Sequence, residues 1–177
     1  MRKVVWCAVL WSIPALARAE GAPAPPPEVK KTVDAFAGNW TFEGTLTGVP
    51  GIKDGSKLKE TLACRNSGGG RMVSCSGKAN LPGMGTVEDE ALAAWDVETK
   101  SFRFVGMSSL GEIHDHNCTW KDDKTATCEP LALTVGGQPA TVDLTMTWPD
   151  AKSITIVETT TMKAGGKMVY AGTGKRK

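Results

Sequence analysis

Residues 38–47 read GNWTFEGTLT, and their period governs most of the chain. Trp40, Phe42, Gly44 and Leu46 fall on one side of an extended backbone, and Thr41, Glu43, Thr45 and Thr47 on the other. A period of two places apolar groups on one face and polar groups on the other, the pattern of a half-buried strand. The same period returns over residues 57–65, where Leu58 and Leu62 oppose Lys57, Lys59 and Thr61. Val73 and Cys75 mark residues 71–79. Over 87–97, Val87, Ala91, Ala93, Trp95 and Val97 oppose Glu88, Glu90, Leu92, Ala94 and Asp96. Further strand-like runs cover 101–108, 112–120, 125–135, 141–148, 153–162 and 167–173, and Pro130, with no amide proton, introduces a bulge into 125–135.

The connections are short and made of turn residues, among them Glu98-Thr99-Lys100, Gly136-Gly137, Pro149-Asp150-Ala151 and Gly165-Gly166. Such loops join antiparallel neighbours only, because a parallel crossover needs a dozen or more residues. About ten strands in meander order would leave two long edges and one bare apolar face as an open sheet, and closure removes both problems. Upstream, residues 28–37 place Val29, Val33 and Phe36 at helical spacing before Gly38. The fold class expected is therefore all-β: an about ten-stranded antiparallel meander barrel with a short N-terminal helix.

The 177 residues suffice for one domain of ordinary size, and the expected organisation is a signal peptide (1–19), a Pro/Ala-rich tether (20–27) and the barrel domain (28–177). Arg2 and Lys3 precede an apolar run too short for a comfortable bilayer span, and Ala17-Arg18-Ala19 supplies a small-x-small cleavage pattern. Cleavage is expected after Ala19, the rest of the sequence offers no candidate membrane span, and the destination expected is periplasmic or extracellular. Removing Arg2, Lys3 and Arg18 from the 21 basic residues leaves 18 against 19 acidic ones, a net charge of −1. A near-neutral chain without a basic tract is not built for nucleic acid, where phosphate contacts dominate affinity.

Cys7 departs with the leader, leaving Cys64, Cys75, Cys118 and Cys128. Four cysteines allow three pairings. Gly68-Gly69-Gly70 lies between the first two and Asp122-Asp123-Lys124 between the last two. A hairpin at each turn sets the partners opposite one another, so Cys64–Cys75 and Cys118–Cys128 are expected as disulfides. The spacings lack paired C-x-x-C knuckles, and no zinc site is expected from them.

Three motifs carry a family resemblance: A-G-x-W-x-x-E-G at residues 37–44, D-x-x-T-K-x-F at 96–102, and G-G-K-x-V-Y at 165–170 with a basic end. Together they resemble the secreted bacterial family known as domain of unknown function 1579. They also resemble the opening of calycins, the superfamily of lipocalins and fatty-acid-binding proteins. The resemblance implies a calycin-like barrel, export and small-molecule binding. It further implies that Trp40 plugs the closed end, with Lys175 or Arg176 stacked on it. The first motif is also similar to nitrobindin-like haem barrels, which ligate iron through a histidine near the C-terminal end. Residues 153–173 contain no histidine, so no haem is expected.

His114 and His116 are the only histidines, and their spacing puts both on the face that carries Cys118 and Trp120. Facing the lumen, they can meet a ligand or titrate near neutral pH. They could also contribute two metal ligands, and Glu158, on the face with Ile154 and Ile156, is the one candidate across the barrel for a third. Glu60 is a second carboxylate on an inward face, suited to a cationic or hydroxyl group. Phe42, Trp95, Phe104 and Met146 are expected to line an apolar space, with Gly44, Gly77, Ala91 and Ala93 leaving room. No G-x-S-x-G, H-E-x-x-H or phosphate-loop motif is present. The expected function is thus non-catalytic binding of a small apolar or amphipathic ligand, with no cofactor and no metal. The alternatives are an envelope protein-interaction or inhibitor-like module and, last, an enzyme or metal site using His114 and His116.

Overall fold

The computed structural model describes residues 24–177, so the expected leader, its cleavage point and residues 20–23 of the tether lie outside the described residues. Pro26 has polyproline angles (φ −51°, ψ 154°), and α1 (Pro27–Phe36) begins immediately after it. Pro27 occupies the first helical turn, where a missing N–H costs nothing. The helix buries Val29, Thr32, Val33 and Phe36. It stops because Ala37 is extended and Gly38 takes φ +129°, a conformation L side chains rarely adopt.

Eleven strands follow: β1 (Gly38–Thr47), β2 (Ser56–Ser67), β3 (Met72–Leu81), β4 (Gly85–Asp96), β5 (Ser101–Ser108), β6 (Ile113–Trp120), β7 (Thr125–Cys128), β8 (Leu131–Val135), β9 (Gln138–Asp150), β10 (Ser153–Met162) and β11 (Lys167–Arg176). All pairings are antiparallel. β1 lies between β2 and β11, the meander runs on to β6, and β7 links β6 to β9. The β9–β10 pairing closes the ring. Because β7 and β8 lie along the same edge of β9, the wall has ten positions, and the fold is a closed all-β barrel. Among the described residues no helix is long and apolar enough to cross a membrane.

The run expected as one strand over 125–135 is two strands. Pro130 cannot donate to a ladder, and residues 129 and 130 fall between β7 and β8, although the Glu129 N–H still donates to Asn117 O of β6 (2.8 Å). β7 pairs with β6 only from Cys118 to Trp120, so the wall beside the first half of β6 is not continued by that strand. Val97, expected to face inward, lies past the end of β4 in a turn and is 61 % exposed. The inward period of β4 runs Val87, Asp89, Ala91, Ala93 and Trp95, with Asp89 occupying a position where no apolar group stands.

One end of the barrel is plugged by α1. Phe36 meets Phe102, Phe104 and Trp148 at ring-centroid distances of 5.4–5.8 Å. The last carbonyls of the helix, which have no intrahelical partner, are met by side chains. The Trp40 indole donates to Phe36 O (2.7 Å), Trp148 to Ala35 O (3.1 Å), and Arg176 to Asp34 O and Ala35 O (2.8 Å each). The Arg176 guanidinium also lies 4.5 Å from the Trp40 ring centroid, while Lys175 donates to Ser153 Oγ. A cation at a helix C-terminus is favourable, so one residue serves the helix and the aromatic plug together.

Both expected disulfides form, Cys64–Cys75 between β2 and β3 and Cys118–Cys128 between β6 and β7, each joining residues directly opposite in the ladder. Both belong to the large apolar cluster at the helix end. A smaller cluster of Leu46, Leu58 and Ala79, with Val49, Ile52, Leu81 and Tyr170 against it, fills part of the other end.

Candidate functional site: a polar waist in the barrel lumen

Between the two apolar clusters the lumen turns polar. A cavity of about 230 Å³ is lined by Glu60 of β2, Asp89 and Ala91 of β4, Phe104 and Gly106 of β5, Glu112, His114 and His116 at β6, and Glu158 of β10. The space has a backbone origin. Gly106 stands between Ala91 and His114 in the ladder, and no atom lies within 4 Å of where its Cβ would be. A second cavity of about 180 Å³ shares Glu112, His114 and Glu158 and reaches Leu46 and Tyr170. Two larger concavities, about 550 Å³ each, are grooves on the outer wall among Lys59, Lys78, Glu43 and Glu88, away from these groups.

The expected room at Gly44 and Gly77 is already filled. Gly44 and Gly172 are ladder partners, and a Cβ on either would overlap the Tyr170 ring lying across them. Leu62 fills the space over Gly77. These glycines admit neighbouring side chains, and the open volume is at Gly106 instead.

Of the residues expected to meet a ligand, His114, His116, Glu158 and Phe104 line one cavity. Phe42 (4 % exposed), Met146 (0 %) and Trp95 pack into the apolar cluster instead and do not border it. Period alone assigned them to the inner face correctly, but inner-face residues near the helix end are consumed by packing. Asp89, Glu112 and Tyr170 were missed. Asp89 carries the inward period of β4, a signal the sequence contains, whereas Tyr170 enters the lumen only because two facing glycines admit its ring.

His114 and His116 are edge-on, with ring centroids 5.8 Å apart. His114 Nδ1 lies 4.0 Å from Glu158 Oε1, beyond hydrogen-bonding range. His116 is 1 % exposed, and neither ring nitrogen has a hydrogen-bond partner among the described residues. Burial and the neighbouring His114 pull its pKa down to about 4, against the opposing pull of Asp115, so the ring is neutral at pH 7. Glu60 is raised to about 7, by burial first and by Asp89 second. Burial also holds Asp89 and Glu158 above the usual carboxylate range; Glu112 adds to both, while His114 pulls Glu158 the other way. The Tyr170 hydroxyl is buried without a partner, and its pKa is raised by burial, then by Glu60 and Glu158. Among the described residues no lysine or arginine borders the cavity, so its carboxylates have no fixed cation. Buried polar groups in folded proteins are nearly always paired, and several here are not.

No family model and no curated protein matches this chain. Solved structures do. The chain is similar to the S-type phycobiliprotein lyase CPES from Guillardia theta, at 7 % identity and a TM-score of 0.58, covering 86 % of this chain and 98 % of that one. This likeness shows the barrel fold and nothing finer. The chain also matches a de novo designed fluorescence-activating β-barrel, at 14 % identity and a TM-score of 0.48, over 83 % of this chain and 98 % of that one.

Proposed function

We propose that the protein is an exported, non-catalytic barrel that binds a small amphipathic ligand in its lumen. The ligand's polar head is cationic or rich in hydrogen-bond donors. The observation that carries this is the unpaired polar waist: Glu60, Asp89, Glu112 and Glu158 around a cavity that also holds the partnerless His116 ring. A basic or donor-rich head satisfies these groups, whereas an anion meets a ring of carboxylates. The apolar contacts come from Leu62, Ala91, Phe104 and Met107 at the same cavity. At about 230 Å³ the space is below the ~300–1,000 Å³ of drug-sized sites. It suits a small molecule, or the head of a longer one whose tail leaves through the mouth.

The two buried disulfides and the expected leader support export to an oxidising compartment. The three motifs that resemble the domain of unknown function 1579 family, and the calycin-like barrel they imply, support the binding role. The phycobiliprotein lyase is named for an enzymatic activity, but at 7 % identity the likeness carries the barrel fold alone.

Native mass spectrometry of protein purified from its own host, followed by denaturing extraction, tests the reading directly. A co-purifying amphipathic amine or polyol is the expected result. A thermal-shift series in EDTA gives the comparison: an alkylamine raises Tm and the fatty acid of equal chain length does not. Equal or inverted shifts overturn the cationic-head assignment, and no shift with any ligand overturns the lumen-binding role. A second reading, docking to another envelope protein, is favoured by Met84, Met107, Leu110 and Ile113, which are 47–65 % exposed. Specific cross-linking through these side chains would support it.

A further inference from the structure

We propose that His114, His116 and Glu158 form a mononuclear site for a divalent first-row transition cation such as zinc. Their ligand atoms all lie within 4.8 Å of one another. Two come from one strand at i and i+2, so β6 holds them on a common face, and the third faces them from β10. The inference goes beyond the lumen-ligand reading and does not depend on it.

Three features separate this cluster from an ordinary polar surface. The His116 ring is fully buried, and neither of its nitrogens has a partner among the described residues. His114 and Glu158 stand 4.0 Å apart, too far for a hydrogen bond yet close enough for one ion to bridge. Their side chains are 24 % and 29 % exposed, which leaves them freedom to turn. Ligands about 2.1 Å from a tetrahedral ion are about 3.4 Å apart, so modest rotation of these two side chains closes the set.

The donor set selects the metal class. Two imidazoles and one carboxylate suit zinc, iron, nickel or copper, whereas calcium and magnesium prefer oxygen alone. Glu60, Asp89 and Glu112 line the same cavity and add negative potential. The four cysteines among the described residues do not compete, because both pairs are disulfides. Three protein ligands leave a coordination position open toward the cavity, the pattern of sites that take a water or an exogenous donor rather than of closed structural sites.

The test is calorimetric titration of the EDTA-dialysed, tag-free protein with Zn²⁺ alone, paired with Co²⁺ absorption. One ion per chain and visible d–d bands are expected. His114→Ala and Glu158→Gln should each weaken zinc binding by at least about 100-fold, above the ~10–100-fold typical of a merely supporting group, with Tm in EDTA retained. These partly exposed residues carry the test, since His116→Ala also cuts a hole in the wall. Absence of zinc uptake overturns the proposal. So does uptake that both variants leave unchanged, which would place the ion on surface carboxylates. Either failure leaves the lumen-ligand reading standing, because its thermal shifts are measured in EDTA.

Discussion

Replacing Glu60 with Gln isolates the cost of keeping a carboxylate in the lumen. Burial, and then the charge of Asp89, raise its pKa from 4.5 to about 7. Between those two values the folded state holds a proton that the unfolded state has released. Stability therefore falls as pH rises through this window, by about 1.36 kcal/mol per unit, and is lowest above it. A window of 2.5 units corresponds to at most about 3.4 kcal/mol, fully present below pH 4.5 and lost above pH 7. Gln keeps the size and a donor but cannot ionise. Glu60→Gln should match the wild type at pH 4 and exceed it by up to about 3 kcal/mol at pH 8. For a domain of this size that is a Tm gain of roughly 6–12 °C. Scanning calorimetry of both proteins at pH 4, 6 and 8, without ligand, reads the difference. An offset that is constant with pH would refute the buried-carboxylate argument. A variant less stable at pH 8 would mean that the charged form has a favourable partner in the lumen.

Tyr170→Phe removes a buried hydroxyl that has no partner and should stabilise the ligand-free protein by about 1 kcal/mol in denaturant unfolding. Arg176→Met keeps an apolar stem but loses the bonds to Asp34 O and Ala35 O and the contact with Trp40; a loss of about 2 kcal/mol is expected, with faster hydrogen exchange in α1. Gly106→Val points a side chain into the open cavity and should abolish the alkylamine thermal shift while leaving the fold intact by circular dichroism. Opening Cys118–Cys128 by a double Ser substitution releases a loop with a sequence separation of 10, worth about 3 kcal/mol in the loop-entropy account, and urea midpoints measure it.

Much of the barrel was legible because period-two alternation, short turns and an even cysteine count are local signals, readable without tertiary contacts. The hairpin turns at Gly68–Gly70 and Asp122–Lys124 set the disulfide partners opposite each other, which is why their pairing could be inferred. The split at Pro130 was visible as an irregularity, but not the consequence that the wall beside His114 and His116 loses a ladder partner. The candidate site was legible in part. Inward direction is a property of one strand, and it marked His114, His116, Glu60 and Glu158. Depth within the lumen is a property of the whole ring, and it separated these from Phe42, Trp95 and Met146 in the packed end.

The sequence by itself determined the all-β class, the antiparallel order, the short helix, the disulfide pairs and the inward face of nearly every strand, since each follows from residues within one hairpin. Only the tertiary structure decided where the lumen is open and where it is full. It brought Glu158 within 4.0 Å of His114 from a strand 44 positions later, laid Tyr170 across Gly44 and Gly172, and left Gly106 facing empty space. Strand tilt and ring closure set those distances, and both arise from the summed geometry of all the strands rather than from any one of them.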